Sequence, residues 1–204
     1  VSTHRPIIGI LGGIGSGKSF VSRLLASHGA MVIDSDELSH SAMSDPAVQR
    51  QIRERFGEAV FRADGSVDRR ALGQAVFADA SDRVALEQIV HPWIEAERSR
   101  RMASAGPGVR TFVLDSPLLI ESGLVGRCDR LVFVDTPRAV RLERVRARGW
   151  DEAELDRRER AQLPLEQKRQ RADAVLDGSA SAGELAAAVE RLIRTWVPGA
   201  GGGS

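Results

Sequence analysis

Residues Gly12-Gly13-Ile14-Gly15-Ser16-Gly17-Lys18-Ser19 match the pattern G-x-x-x-x-G-K-[ST], whose chemistry is the grip of a phosphate chain. Glycines let the backbone curl until successive N–H groups point at phosphate oxygens, and a helix start adds partial positive charge. Lys18 is placed to reach the β- and γ-phosphates, and the Ser19 hydroxyl suits a magnesium ion. The plainer reading is a glycine-rich turn that only begins a helix. Context favours the first. The apolar run Pro6 to Leu11 precedes the loop as a buried strand would, and Val21, Leu24, Leu25 and His28 follow at helical spacing. Gly13, Ile14, Gly15, Ser16, Gly17, Lys18, Ser19 and Phe20 are therefore the expected contacts of ATP. A guanine nucleotide is not expected, because the chain has no N-K-x-D motif and no Asp-x-x-Gly after the third strand-like run.

These residues need a sheet to hold them. Ala30–Asp34, Thr111–Asp115, Arg130–Asp135 and Ala174–Asp177 read as further strands, each ending in aspartate, and ligands of open parallel sheets sit beyond the carboxyl ends of the strands. The spacing predicts an α/β fold, a parallel sheet flanked by helices. Between the second and third strands lies a helical, arginine-rich stretch far longer than a plain crossover needs. Its helices are expected to start near Asp45-Pro46, Asp68 and Ser81, with a turn at Ala63 to Ser66. Arg148 to Arg171 is nearly all charged, is interrupted by Pro164, and reads as two short exposed helices whose low apolar content suggests mobility. A closing helix is expected over Gly183 to Trp196, its apolar face formed by Leu185, Ala188, Val189, Leu192 and Ile193.

Composition narrows the partners. The 204 residues are 42% apolar and 28% charged, ordinary for one globular domain with a large insertion. The formal net charge of +1 supplies no field for nucleic acid or a membrane surface. A single cysteine, Cys128, leaves no intramolecular disulfide and no zinc-type cluster, so a cytoplasmic protein is expected. Gly199 to Ser204 reads as a flexible tail.

The chain resembles the dephospho-coenzyme A kinase family, P-loop kinases, in residues spread from Ile7 to about Arg194. The likeness is carried by Gly12 to Ser19, Val32-Ile33-Asp34-Ser35-Asp36, His91-Pro92, Asp115-Ser116-Pro117-Leu118-Leu119-Ile120-Glu121, and Gln162-Leu163-Pro164 with Glu166 to Arg169. Leu11, Phe20 and Gly178 depart from the family pattern, which more often has Thr, Thr and Asn there. Gly178 is expected to loosen contacts to adenine. The resemblance implies a P-loop NTPase fold with a helical acceptor-binding insertion and a lid. It also implies phosphoryl transfer from ATP to the ribose 3′-hydroxyl of dephospho-CoA, with Mg2+ as cofactor. The corresponding division is a nucleotide core (1–36, 109–147, 172–198), an acceptor domain (37–108), a lid (148–171) and the tail (199–204), in a chain expected to act as a monomer.

Roles follow from that frame. Asp36, just past the second strand, is the expected base that orients the acceptor hydroxyl, and its alternative is the N-cap of a helix starting at Glu37. Asp115 ends a strand where P-loop enzymes hold magnesium through water, and its alternative is a structural or acceptor-contacting role. His91, Leu118, Leu119 and Glu121 are expected on the acceptor side, with Pro117 to Glu121 forming the start of a helix after the strand Thr111–Asp115. Core packing is the alternative for both leucines, and a cap or core role for His91. Of the lid arginines, Arg158 is the expected partner of the transferring phosphoryl group, by its spacing before Gln162.

Overall fold

The computed structural model describes residues 4–197, the side chains of Ala78 and Ala80 excepted, so the tail expected at 199–204 lies outside the described residues. Runs of β-branched and large apolar residues form five strands: β1 (Ile7–Gly12), β2 (Ala30–Asp34), β3 (Thr111–Asp115), β4 (Arg130–Asp135) and β5 (Ala174–Asp177). They make one all-parallel sheet in the order β2-β3-β1-β4-β5. Central β1 lies between β3 and β4, so the loop leaving its carboxyl end opens at the point where the strand order reverses.

Helices cover this sheet because its strands are apolar on both faces. Ile8, Ile10, Val113, Val132 and Val134 form one core with Val21 and Leu25 of α1 (Lys18–Ser27) and with Leu185, Val189 and Ile193 of α9 (Ala182–Trp196). The alternate residues Phe112, Leu114, Leu131 and Phe133 are buried as well. Ser181 and Glu184 form a capping box at the start of α9, and its buried face follows from Leu185, Val189 and Ile193 at helical spacing. Each of those side chains contributes about 1.5–3 kcal/mol by burial, so a charge at Val189, which is fully enclosed, would detach the helix. The same unit carries α6 (Arg138–Arg146), α7 (Glu152–Glu159) and α8 (Leu165–Gln170), the last packed against β1 and β4.

Two features differ from expectation here. The charged segment is not fully exposed, since Leu155 of α7 and Lys168 of α8 are buried. No α-helix starts at Pro117: residues 117–123 are turns, followed by a 3-10 turn at Leu124–Arg127. Gly123, at φ 75, breaks the chain's path after one helical ring, closed by the Ser122 N–H on the Leu118 carbonyl.

Ser35–Ser104 forms a second compact unit, and the residues up to Asp34 and from Ala105 form the first. The second unit contains α2 (Ser35–Ala42), α3 (Pro46–Phe56), α4 (Arg69–Ala78) and α5 (Ala80–Ala103), with α5 packed on the other three. Leu38, Val48, Ile52, Leu72, Val90 and Ile94 make its interior. Asp45 and Asp68 cap α3 and α4 as their types predict. For α5 the cap is Asp79, not Ser81. Its carboxylate accepts the Ser81 N–H at 2.7 Å, which starts the helix a residue before Ser81.

Candidate active site

The phosphate loop joins β1 to α1, and its shape is fixed from behind by α6. Arg144 Nη1 donates to the carbonyls of Gly15 (3.2 Å) and Ser16 (3.1 Å), Thr136 Oγ1 donates to Ser16 O at 2.9 Å, and Arg141 Nη1 donates to Ile14 O at 3.4 Å. In a trans peptide the C=O and N–H point in opposite directions, and the described residues contain no cis bond. The N–H groups of Gly15 and Gly17 therefore point away from these donors, while the Ser16 N–H closes the turn on the Gly13 carbonyl at 3.2 Å. Gly15 has φ 75, and a Cβ there would stand 2.8 Å from the Arg141 carbonyl, so the turn admits only glycine. Lys18 opens α1, and its Nζ donates to the carbonyls of Gly12 (3.2 Å) and Gly13 (3.1 Å), which holds the ammonium at the loop's mouth. Ser19 follows in the first helical turn.

Sequence reading missed Thr136, Arg141 and Arg144. The available signal was the spacing of Arg138, Arg141 and Arg144, three residues apart and so on one helical stripe. Arg144 Nη2 also donates to Gly178 O at 2.8 Å, tying the end of β5 to the phosphate loop. A Cβ at position 178 would fall 2.2 Å from Thr136 Oγ1 and 2.5 Å from Ser16 O. In this chain Gly178 thus lets its backbone lie directly on the loop. Phe20 is partly buried against the sheet core, with the Arg23 guanidinium 5.7 Å from its ring centre.

The aspartates at the strand ends have different fates. Asp135 pairs with Arg169 at 2.9 Å, and Asp177 accepts the Ser179 hydroxyl at 2.5 Å. Asp115 accepts the Ser22 hydroxyl at 2.6 Å. Ser22 lies three residues after Ser19 on α1, which sets the Asp115 carboxylate beside the first turn of that helix. A hydroxyl and a carboxylate at the loop form an all-oxygen donor set, suited to a magnesium ion that keeps several of its waters. No cluster of three or more His, Cys, Asp or Glu that could hold a metal occurs among the described residues, and such an ion does not require one.

Beside α7 and α8 a cavity of about 520 Å³ is lined by Gly13 of the phosphate loop and by Asp156, Glu159, Arg160, Gln162 and Leu165, among others. Arg158 is not part of its wall. It is exposed, donates to Glu154 at 2.6 Å and stacks on Trp150 at 4.1 Å. Arg141, nearly fully buried, pairs with Glu159 and so joins α6 to the cavity wall. Glu121 accepts the Leu163 N–H at 2.8 Å and the Lys168 ammonium at 3.1 Å. Burial alone would raise its pKa, but the N–H of Leu163, its own backbone N–H and Lys168 together hold it below the usual carboxylate range. Leu119 is buried, whereas Leu118 is 44% exposed.

The remaining expected residues belong to the helical unit. Asp36 is exposed and is the second residue of α2, which starts at Ser35 directly after β2. It is therefore a first-turn residue and not the N-cap of a helix beginning at Glu37. His91 is exposed on α5, next to Pro92 inside that helix.

A family model described as dephospho-CoA kinase matches residues 6–184 of this chain. The chain belongs to the dephospho-CoA kinase family. Its relatives include the dephospho-CoA kinase of Geobacter sulfurreducens, 41% identical over 189 residues, covering 91% of this chain and 96% of that protein. The dephospho-CoA kinase of Bacillus licheniformis is 40% identical and covers 93% and 96%. Among solved structures, TT1252 from Thermus thermophilus superposes with a TM-score of 0.84 at 38% identity, covering 95% of this chain and 99% of that one. Membership makes the chain an ATP-dependent kinase, and its phosphate loop agrees with that class. Among the described residues no helix is long and apolar enough to cross a membrane.

Proposed function

We propose that this chain transfers the γ-phosphoryl group of ATP to the ribose 3′-hydroxyl of dephospho-CoA, giving CoA and ADP in the last step of coenzyme A synthesis in the cytoplasm. The observation that carries the reading is the phosphate loop, the carbonyls of Ile14, Gly15 and Ser16 held from α6 and Lys18 at its mouth, in a chain of this family. Lys18 exchanges its two loop carbonyls for phosphate oxygens when the triphosphate enters. Ser19 and, through water, Asp115 would hold the magnesium ion, which when bound supplies charge neutralisation at the phosphate oxygens. Asp36 orients the acceptor hydroxyl and takes its proton late, because the transition state is loose and positioning supplies most of the rate. The helical unit, with His91, is assigned to the acceptor.

Two lid arginines are assigned to the charge of the transferring group. Arg160 already lines the cavity beside Gly13, and Arg158 reaches it by leaving Glu154. The exposed Arg158–Glu154 pair is worth at most about 1 kcal/mol and the exposed stacking on Trp150 about 0.5–1 kcal/mol, so that exchange costs no more than about 2 kcal/mol. The test is incubation of the purified chain with Mg2+, ATP and dephospho-CoA, following CoA and ADP by mass-resolved chromatography. CoA and ADP formed in equal amounts, and only with dephospho-CoA present, support the reading. Bound ATP without CoA formation rejects the acceptor.

A further inference from the structure

Lys168 is 1% exposed, although lysine is almost never fully buried unless paired. All three donors of its ammonium are spent: on Glu121 Oε1 at 3.1 Å, on the Pro117 carbonyl at 3.2 Å and on Gln162 Oε1 at 3.0 Å. Glu121 in turn takes the Leu163 N–H. Two segments far apart in sequence, 117–121 after β3 and 162–168 at the start of α8, are thus joined through one buried ammonium. Glu121, the last residue of the first segment, is 21% exposed at its side chain, so the hub is dry on the lysine side and only edged by solvent on the other.

The position of this hub gives it a consequence for the reaction. Gln162, Leu163, Pro164 and Leu165 line the cavity that also contains Gly13 and Arg160. Leu165 packs on the phosphate loop, its methyl carbons 3.2–3.3 Å from where a Cβ of Gly13 would stand. A methionine at 168 would fill much the same volume without the desolvation cost of an ammonium, and buried pairs replaced by apolar residues are often no less stable. What an apolar side chain does not supply is three directed bonds that fix where residues 162–164 run.

We infer that Lys168 is a positioning residue for phosphoryl transfer: through Glu121 and Gln162 it holds the segment 160–165, and with it Arg160, at its station opposite the phosphate loop. The inference rests on the kinase reading proposed above. A displacement of about 1 Å at a transfer site costs up to roughly 100-fold in rate, so a loosened segment should show in kcat. The held segment meets the phosphate loop through the apolar contact of Leu165 with Gly13, whereas the triphosphate is gripped by backbone N–H groups and Lys18, so the KM for ATP should change little.

The experiment uses the full chain, wild type and three variants: Lys168→Met, Glu121→Gln, and the two together. Wild type is assayed first; if it forms no CoA, the functional reading fails, while amide exchange still measures the positioning. Lys168→Met is expected to lower kcat roughly 10- to 100-fold, with the KM for ATP within about threefold of wild type. Exchange of the amides of 160–165, read by peptide mass, should speed up about tenfold or more without a matching change in α9. The double variant, which leaves no charge at the hub, should regain thermal stability but not kcat. If kcat recovers as fully as stability does, the pair is only a structural bridge and the inference is wrong. Wild-type kcat together with wild-type exchange in folded Lys168→Met overturns it too. Should Lys168→Met not fold, Glu121→Gln keeps shape and removes the charge that Leu163 and Lys168 share. A normal kcat with normal exchange at 160–165 in that variant then refutes the assignment.

Discussion

Replacing Arg141 with methionine keeps an apolar stem of similar reach and deletes the guanidinium that faces α7 and the phosphate loop. In the folded chain that side chain is 6% exposed and pairs with Glu159, which is 24% exposed. It also donates from Nε to Thr136 O at 3.1 Å and from Nη1 to Ile14 O. Removing one partner of a buried pair costs about 3–5 kcal/mol, and we take the lower end, about 3, because the Glu159 carboxylate reaches solvent and rehydrates. For a chain of this length each kcal/mol moves Tm by about 2–4 °C, so the expected loss is about 6–12 °C by calorimetry. The loop carbonyl of Ile14 loses its donor, and ATP affinity should fall about tenfold, equivalent to 1.4 kcal/mol. A cycle with Glu159→Gln isolates the pair, and an interaction energy of about 1–3 kcal/mol is expected. A Tm within about 2 °C of wild type, with additivity inside about 0.5 kcal/mol, would refute the view that this guanidinium ties α7 to the loop.

Gly15→Ala forces a Cβ into a left-handed turn and against the Arg141 carbonyl, so ATP binding by titration should weaken by about two orders of magnitude, matching a strain of about 2–3 kcal/mol; unchanged affinity would contradict the loop geometry. Asp36→Asn should fold and bind ATP normally yet lose most turnover, and near-wild-type kcat would remove Asp36 as base. Glu97 is held down from 4.5 to about 2, chiefly by hydrogen bonds from Arg100 and Arg101. Its folded pKa is depressed, so its contribution is complete above about pH 4.5 and is lost as pH falls from there toward 2. Glu97→Gln should therefore be less stable than wild type in urea at pH 6, with the gap narrowing by pH 3; a gap that stays constant over that range would contradict the linkage.

The chemistry of the loop was legible because it is local. Gly12 to Ser19 fit one backbone shape, and the strands Ala30–Asp34, Thr111–Asp115, Arg130–Asp135 and Ala174–Asp177 declare themselves by apolar runs that a doubly covered parallel sheet requires. The caps at Asp45 and Asp68 were legible for the same reason, since an N-cap is read from its own residue and the few that follow. Where two such residues compete, as at Asp79 and Ser81, helix register decides, and register is set by packing. The stretch after β3 looked helical from Pro117 to Glu121, but Gly123 stops it after one turn.

Tertiary structure alone decided which charges are spent and where. In a segment rich in arginine and lysine, sequence singles out Arg158 by its spacing before Gln162 and does not distinguish Arg141, Arg144 or Lys168 from solvated side chains. Folding buries Arg141 and Lys168 and sets Arg144 on the back of the phosphate loop, while Arg158 stays on the surface against Trp150. The physical reason is that a charge's role depends on partners 18 to 129 residues away, such as Glu159, Ile14, Gly15 and Glu121, and no periodicity along the chain encodes such distances. Sequence determined what this chain grips, a phosphate chain at the end of a strand, and the fold decided which side chains hold the grip in place.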